Sequence, residues 1–288
     1  MRLDYSVPLP DGSILELGPR TLVMAIVNVT PDSFADGGLR FDPDVAIADA
    51  LRMVADGADI LDIGGESTRP GAAPLPVADE LRRVLPVLEG LRGRAPVPIS
   101  IDTYKAEVAS RAIDLGAGIV NDISALTYDP ELAAVAARRQ AAVILMHNRG
   151  RSREMYAFAQ YGGDVAADVT AELRARVEAA VAAGIARERI IVDPGLGFAK
   201  RAEHSYAAIA GLPALAAGLG RPILSGPSRK SFLQAAIGER PPADRVWATA
   251  AAVTASVLFG AHILRVHDVR AMVDVVRAAD RIREAAPI

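Results

Sequence analysis

Three polar residues stand where short apolar segments end, which is a costly place for a polar side chain unless it has a partner. Asp102 follows VPISI, Asn121 closes GIVN and Asp193 closes RIIVD. Two carboxylates and an amide offer several acceptors and one group that both donates and accepts, a set that suits a flat heterocycle rich in N–H groups. One such residue alone is better explained by hydrogen bonds to neighbouring backbone. Three at comparable positions favour a ligand site.

A second group of residues offers donors to an anion. Arg265 and His267 have one residue between them on a short apolar segment, so their side chains face the same way, and a helix is predicted to begin at about 269. A helix N-terminus contributes only about 0.3–1 kcal/mol to anion binding at exposed sites, so a guanidinium is needed to hold a phosphate. The competing interpretation is an ion pair between Arg265 and Asp268 or another acid at the rim.

The segment SGPSRK brings further charge to the same kind of position. Ser228, Arg229 and Lys230 follow Gly226 and Pro227 and are predicted to open a helix. A flexible Lys with an Arg beside it suits a ligand that carries negative charge or carbonyl oxygens. Solvated surface charge is the alternative interpretation.

Other kinds of chemistry are not indicated. The chain has no Cys, and its four His lack HxxxH spacing, so neither thiolate chemistry nor a cage of protein ligands for a metal is predicted. Any metal is expected to be Mg²⁺, held by one or two oxygen ligands and by substrate phosphates. His204 and His262 are interpreted as structural. There is no GxSxG segment, and Ser225 has no evident base, so covalent acyl chemistry is not supported.

Composition sets the broad class of the protein. The 288 residues are 51% apolar and 23% charged, as in a folded globular chain. The net charge of −3 without a basic run gives no sign of nucleic acid binding. The longest uncharged apolar segment, 247–261, is shorter than the ~20 residues of a membrane span and is interpreted as a buried core helix. With no signal peptide and no Cys, we expect a cytoplasmic protein.

Two kinds of segment alternate along the chain and must position these residues. Short runs rich in Ile, Val and Leu, apolar on both faces, predict strands covered on both sides: 21–27, 59–63, 97–101, 118–121, 142–146, 189–193, 222–225 and 262–266. Helical patterns lie between them: 43–56, 77–91, 104–115, 129–139, 164–183, 204–217, 228–259 (broken near Pro241 and Pro242) and 269–284.

Eight alternating units predict one α/β domain, a (β/α)8 TIM barrel over residues 1–288. The alternative is an open doubly wound sheet, which is disfavoured because no GxGxxG follows the first strand. Residues 3–20 are predicted to form a short N-terminal hairpin across the bottom of the barrel, with its turn at Asp11 and Gly12. The polar residues follow the strand ends, and active sites of this fold lie at that face.

These motifs, in this order, resemble the dihydropteroate synthase family. The matching segments run from residue 26 to 269: IVNVTPDSFADGG, DIGGESTRPGA, ISIDTYKAEVA, IVNDISA, LMHNRG, DPGLGFAK, GPSRKSFL and RVHDV. The resemblance implies a transferase of folate biosynthesis with a (β/α)8 barrel. Such an enzyme condenses para-aminobenzoate with hydroxymethyl-dihydropterin pyrophosphate and releases pyrophosphate. The resemblance further implies Mg²⁺ as helper, small-molecule substrates, a homodimer and a sulfonamide target.

The resemblance also implies roles for individual residues. The residues implied to line the pterin pocket are Asp102, Asn121, Met146, Asp193 and Lys230. The residues implied to bind pyrophosphate are Asn28, Thr68, Arg69, Arg265 and His267, and Asn28 is also implied as a metal ligand. The residues implied to surround para-aminobenzoate are Phe34, Pro70, Phe198 and Ser228. Asp32 is implied to belong, with Phe34, to a mobile first loop. The chain departs from the family at Ala35, where Ser is common, and at Ala199, where Gly is frequent.

A mechanism follows from this set as a hypothesis. A C–O bond breaks at the exocyclic CH₂, Arg265, His267 and Mg²⁺ stabilise the departing pyrophosphate, and Asp102 and Asp193 stabilise a cation-like methylene. The catalytic residues are then Asp102, Asp193, Lys230 and Arg265. The neutral amine attacks, so no strong base is required. The loop after Asn28 is expected to close over the second substrate; a passive polar turn is the alternative.

Two other functions remain open at this point. A pterin-binding methyltransferase domain, acting on methyl-tetrahydrofolate and a corrinoid protein, would share the barrel and the Asp and Asn pocket. The loops ESTRPG and GPSRKSFL argue against it, because in the family they serve the aminobenzoate side. A degenerate paralogue that binds pterin without catalysis is the second alternative, disfavoured because every expected ligand position is filled.

Overall fold

The computed structural model of the chain describes residues 2–30, 42–67, 71–151 and 153–285. The strands are β1 Tyr5–Pro8, β2 Ile14–Leu17, β3 Leu22–Asn28, β4 Ile60–Gly64, β5 Ile99–Asp102, β6 Ala117–Asp122, β7 Ala142–Met146, β8 Ile190–Asp193, β9 Leu224–Ser225 and β10 Ile263–Val266. The α-helices are α1 Pro43–Ala55, α2 Val77–Leu91, α3 Ala106–Asp114, α4 Leu132–Arg138, α5 Val165–Ala182, α6 Ala202–Ala210, α7 Leu212–Leu219, α8 Gln234–Ile237, α9 Val246–Leu258 and α10 Val269–Ala285.

Eight parallel strands form one sheet in the order β8-β7-β6-β5-β4-β3-β10-β9. Strand β3 therefore pairs with β10, and a parallel bridge between Val192 and Ile223 joins β8 to β9. The sheet closes into a barrel that is nearly complete. The predicted (β/α)8 barrel is confirmed, and the open doubly wound sheet is wrong.

Each barrel strand is apolar on both faces because both faces are buried. In β3, Val23, Ala25 and Val27 pack outward in the cluster that includes the helices, whereas Leu22 and Met24 pack in a second cluster inside the barrel. The same alternation places the residues at the strand ends inward, above that inner cluster. The eight predicted strands lie within two residues of the observed bounds.

The N-terminal hairpin closes the bottom of the barrel, as predicted. Strands β1 and β2 pair antiparallel, and Gly12 takes a positive φ of 85° in the turn between them. Val7, Leu9 and Leu17 join the inner cluster formed by the barrel strands. Water is thereby excluded from the end of the barrel opposite the polar strand ends.

Two predicted helices are interrupted. The segment 204–217 is two helices, because α6 ends at Ala210 and α7 begins after Gly211 with Pro213 in its first turn. In 228–259, residues 228–229 form a turn and residue 230 is irregular, so the prediction that these three residues open a long helix is wrong. Helix α8 ends at Ile237, and the following Gly238, with a φ of 76°, stops helical propagation. The predicted break near Pro241 and Pro242 is confirmed by a 3-10 turn there.

Helix α9 is not wholly buried, in contrast to the core helix predicted for 247–261. One face, with Val253 and Val257, is buried against the barrel. The other face leaves Trp247 81%, Leu258 42% and Phe259 39% exposed. Among the described residues, no helix is long and apolar enough to cross a membrane.

Candidate active site

The polar residues at the strand ends converge inside the barrel mouth. Asp102 and Asn121 are register partners on β5 and β6, and Asp102 also pairs with Gly64 on β4. Asp193 pairs instead with Met146, so it lies on the far side of β7 from Asn121. Asn121, Met146 and Asp193 are each no more than 5% exposed. The structure therefore brings together the predicted pterin residues on four strands.

Glycine at the end of β4 leaves space beside Asp102. A Cβ atom on Gly64 would lie 3.4 Å from the Asp102 Cβ and 3.6 Å from its Oδ2. Any larger side chain there would fill the mouth of the barrel next to the carboxylate. The glycine thus keeps the mouth open for a flat ligand.

Arg265 is held between two carboxylates. Its Nε donates to Asp62 Oδ2 at 2.6 Å, and its Nη2 donates to Asp102 Oδ2 at 2.7 Å. Asn121 Nδ2 also donates to Asp62 Oδ2, at 3.0 Å. The ion-pair interpretation of Arg265 is thus correct in kind, but its partners are these two acids and not Asp268.

Burial opposes the charges of this network. Burial raises the pKa of Asp102 to about 7, although the Arg265 guanidinium beside it acts in the opposite direction. Burial also opposes the charge on Arg265, but Asp62 and Asp102 outweigh it and raise the pKa of the guanidinium. Asp62 is fully buried, and its Oδ1 has no hydrogen-bond partner among the described residues. A buried acceptor left in this way is unfavourable for folding, which points to a functional site.

Asp193 and Lys230 form the other charged side of the mouth. Lys230 Nζ donates to the Leu196 carbonyl at 2.6 Å, and burial lowers the pKa of this amine to about 8. Burial raises the pKa of Asp193, opposed by Lys230 and by the backbone N–H of Gly195, which donates to Asp193 Oδ1 at 2.7 Å. Gly195 has φ 67°, and a Cβ there would lie 1.9 Å from the His147 carbonyl oxygen, so only glycine fits.

The two charged residues of the segment after β9, Arg229 and Lys230, contact different partners. Lys230 lies over the Phe198 ring, with Nζ 4.6 Å from the ring centroid, so Phe198 borders the mouth beside a cation. Arg229 instead forms a two-pronged ion pair with Asp268, its Nε 2.9 Å from Oδ2. Arg229 is therefore neither a solvated surface charge nor directed at the ligand mouth.

Ser228 and His267 form one unit. The backbone N–H of His267 donates to Ser228 Oγ at 3.1 Å, and the same Oγ lies 3.0 Å from His267 Nδ1. A hydroxyl that accepts from the backbone can donate to Nδ1, which places the proton of a neutral ring on Nε2. A residue predicted for the aminobenzoate side and one predicted for pyrophosphate thus share a hydrogen bond.

Asn28 ends β3 at the rim and is partly exposed. The other residues predicted for the two mobile loops, Asp32, Phe34, Thr68, Arg69 and Pro70, lie outside the described residues. Within the described part of the chain, no group of three or more His, Cys, Asp or Glu side chains could hold a metal ion. Asn28 therefore offers one amide oxygen beside Gly64 of β4, its register partner, and is not part of a cage.

Two buried polar groups were missed from the sequence. Asp62 lies within the apolar run DILDI; as a single polar residue in a buried strand, it could have signalled an inward partner. Lys200, 1% exposed, places Nζ 2.7 Å from His147 Nδ1, and His147 Nε2 lies 3.1 Å from Glu172 Oε2. His204, in α6, and His262, before β10, occupy the structural positions expected of them.

Comparison with known proteins agrees with this barrel and its acidic mouth. The family described as "Pterin binding enzyme" matches residues 24–267. A dihydropteroate synthase from Synechocystis sp. is 46% identical over 279 residues, covering 96% of each chain. The structure of the Xanthomonas albilineans dihydropteroate synthase with 4-aminobenzoic acid matches with a TM-score of 0.89 at 43% identity, over 98% of this chain and 100% of that one.

A third match is the Yersinia pestis dihydropteroate synthase in a sulfonamide drug complex. It has a TM-score of 0.90 at 40% identity and covers 97% of this chain and 100% of that chain. The fold and the site thus define a pterin-binding barrel. The chain belongs to the dihydropteroate synthase family, and this confirms the resemblance found in its sequence motifs.

Proposed function

We propose that this chain joins para-aminobenzoate to hydroxymethyl-dihydropterin pyrophosphate and releases pyrophosphate. The observation that carries the proposal is the position of Arg265. Its guanidinium contacts Asp102 and Asp62 inside the mouth, and His267 lies two residues further along the chain, toward the rim. The acidic pocket therefore holds this cation, and the proposed anion site lies beside it on the same strand end. A substrate with a donor-rich ring at one end and a pyrophosphate at the other matches that arrangement.

The pterin ring is proposed to lie among Asp102, Asn121, Met146, Asp193 and Lys230. The carboxylates accept from ring N–H groups, and the Lys230 ammonium donates to a ring carbonyl or nitrogen. Met146, 4% exposed, supplies an apolar wall. Because these groups are fixed by strands and by their own partners, they are ordered before the ligand arrives.

The pyrophosphate is proposed to lie toward Asn28, Arg265 and His267, and the family motif adds Thr68 and Arg69. Mg²⁺ fits this end, because it commonly takes one or two protein oxygens and completes its shell with phosphate oxygens and water. Asn28 would hold it. When bound, the ion would neutralise charge on the leaving pyrophosphate.

The reaction then needs little proton transfer from the protein. The C–O bond at the exocyclic CH₂ breaks, and the electron pair leaves with pyrophosphate, where Arg265 and His267 offset the negative charge. The methylene left behind is cation-like, and Asp102 and Asp193 stabilise it through the ring. The nitrogen of para-aminobenzoate attacks as the neutral amine and loses its proton to water or phosphate.

The para-aminobenzoate site is proposed beside Phe198 and Ser228, together with Phe34 and Pro70 of the two loops. Phe198 offers a ring face whose position is fixed beside Lys230. Binding of 4-aminobenzoic acid and of a sulfonamide drug to the two matched structures supports the further proposal that sulfonamides compete here.

The proposal is tested with purified protein, both substrates and Mg²⁺, with dihydropteroate as the measured product. Asp193→Asn should lower turnover by about 10²–10³-fold, because it removes a fixed charge from the transition state. Asp114→Asn, which alters an exposed ion pair with Arg139, is the matched control. Wild-type turnover in Asp193→Asn would contradict the proposed mechanism.

Two further assays separate the alternatives. Consumption of methyl-tetrahydrofolate without dihydropteroate formation would identify the methyltransferase. Failure of the well-folded chain to complement a strain that lacks the synthase would identify the degenerate paralogue.

Removal of Mg²⁺ by a chelator should lower turnover. Restoration of turnover by added Mg²⁺ tests the metal proposal.

We propose that the protein is a cytoplasmic homodimer that uses the exposed face of α9. No Asp, Glu, Lys or Arg occurs from residue 246 to 264, and Trp247, Leu258 and Phe259 form an exposed apolar face. An uncharged apolar face of this kind suits contact with its own copy about a two-fold axis. Trp247→Glu should convert a dimer to a monomer in light scattering, and a wild-type monomer would contradict the proposal.

A further inference from the structure

Lys200 lies fully inside the protein, and among the described residues no carboxylate forms an ion pair with it. Its Nζ makes a 2.7 Å contact with His147 Nδ1 and donates to the Phe198 carbonyl at 3.2 Å. Burial lowers the pKa of this amine to about 7, although Asp193 favours its charge. A lysine buried on these terms is rare unless its contacts have a use.

His147 links the buried Lys200 to the more exposed Glu172. Burial, with Lys200 beside it, lowers the pKa of His147 to about 4, so the ring is neutral near pH 7. Because Lys200 donates to Nδ1, the ring proton lies on Nε2 and donates to Glu172 Oε2 at 3.1 Å. Arg149 holds the same carboxylate from the other side, its Nε 3.1 Å from both Glu172 oxygens. The ring is therefore fixed in one tautomer and one orientation.

The segment that Lys200 ends has an irregular backbone. Residues 193–200 include Gly195, Gly197 and Ala199, with φ of 67°, 76° and 47°, so no regular ladder holds them. Contacts with side chains replace that ladder. Tyr161 Oη donates to the Ala199 carbonyl at 3.0 Å, and Lys230 donates to the Leu196 carbonyl. Lys200 closes the end of the segment against His147, which follows Met146 of β7.

We infer that Lys200 is a positioning residue for the para-aminobenzoate side of the site. Through His147 and the Phe198 carbonyl it holds residues 198–200, so that the Phe198 ring stays against Lys230. This inference rests on the proposed function. It predicts that loss of the Lys200 contacts affects the second substrate far more than the pterin, because Lys200 donates directly to the Phe198 carbonyl, whereas Asp193 is held by its place in β8.

The test compares Lys200→Met, which keeps length but removes the donor, with the wild type. The KM for para-aminobenzoate should rise about tenfold, the loss expected for one hydrogen bond, while the KM for the pterin pyrophosphate stays unchanged. Asp280→Ala, a variant at the bottom of the barrel, controls for general loss of stability. Equal changes in both KM values, or none, would overturn the inference.

A second measurement uses the wild type and does not depend on activity. In ¹⁵N NMR of the imidazoles, His147 should show the Nε2–H tautomer and should not titrate between pH 5 and 8. An unperturbed histidine would titrate within that interval, because its pKa is ~6.5. His147→Gln assigns the signal among the four His residues. A His147 that titrates near its ordinary pKa would refute the network, whereas absent synthase activity with the expected tautomer would count only against the proposed function.

Discussion

The two ends of the barrel handle buried charge in opposite ways. At the bottom, the Asp280 carboxylate accepts hydrogen bonds from the Thr21 backbone N–H at 2.7 Å and from the Thr21 hydroxyl at 2.9 Å. Arg2 and Arg283 form ion pairs with the same carboxylate. At the top, Arg265 is shared by two carboxylates, and Asp62 keeps an oxygen without a partner in the described structure. The bottom network is complete and suits stability, whereas the top network is incomplete and suits a ligand.

Backbone strain follows the same division. Five residues other than Gly have positive φ in the described structure: Ala125, Leu126, Gln140, Ala199 and Arg229. All but Gln140 lie in loops that follow the C-terminal ends of barrel strands, whereas Gln140 lies between α4 and β7. Left-handed backbone costs about 1–2 kcal/mol for such residues, so the top holds strain that the rest of the fold must offset.

Neutralising a carboxylate at the top should separate activity from stability most sharply. Asp102→Asn should lower kcat/KM about 10³-fold, or about 4 kcal/mol, because the pterin loses a fixed charge. The free energy of unfolding should stay within about 1 kcal/mol of the wild type, because burial already opposes this charge and Asp62 still pairs with Arg265. Steady-state kinetics and urea unfolding measure the two quantities. A large loss of stability would mean that the top network serves folding after all.

The corresponding change at the bottom should do the reverse. Asp280→Ala removes the acceptor of Thr21 and the partner of Arg2, and a broken buried pair costs about 3–5 kcal/mol. The free energy of unfolding should fall by that amount in urea, with kcat/KM unchanged at a temperature where the variant is folded. A fall in kcat/KM of the folded variant would remove the distinction between the two ends.

The barrel was predictable from sequence because each strand carries its own signal. Asp102, Asn121 and Asp193 were found because they end apolar runs. Asp62 was not, because it is one polar residue inside such a run, and its partner Arg265 lies 203 residues away. The interruption of 228–259 at Gly238 depends on a φ of 76° that composition does not reveal. Contacts between residues far apart in the sequence and local backbone conformation could not be predicted, because both are set only when the chain folds.

The bottom should also respond to acid, through His262. Its Nδ1 accepts from the Ile223 N–H at 3.1 Å and its Nε2 lies 3.0 Å from the Leu3 carbonyl, and burial lowers its pKa to about 4. Below pH 6.5 the unfolded ring takes a proton that the folded ring does not take until about pH 4, so unfolding is favoured. The free energy of unfolding should fall by about 3 kcal/mol over that window.

The control for this effect is His262→Gln, which has no titrating ring. Urea unfolding at several pH values should show a flatter dependence between pH 4 and 6.5 in the variant than in the wild type. Parallel curves for the two proteins would assign the acid sensitivity to other groups.

The smallest expected effect tests the strain at the top directly. Ala199 has φ 47° and is fully buried in residues 193–200. Ala199→Gly should raise the free energy of unfolding by about 0.5–1 kcal/mol, because relief of left-handed strain exceeds the added chain entropy of Gly. Gln140→Gly, at φ 52°, is the matched change on the other side of the barrel and should give a similar gain.

The two glycine variants should differ in activity. Residues 193–200 carry the Leu196 carbonyl that binds Lys230, so freedom gained at residue 199 should loosen Phe198 and raise the KM for para-aminobenzoate, by about twofold if a few tenths of a kcal/mol are lost. The Gln140→Gly variant should keep wild-type kinetics, because its loop lies at the N-terminal ends of the strands. If both variants gained stability and neither changed KM, the strained alanine would be a tolerated substitution and not part of how the upper face is held in place.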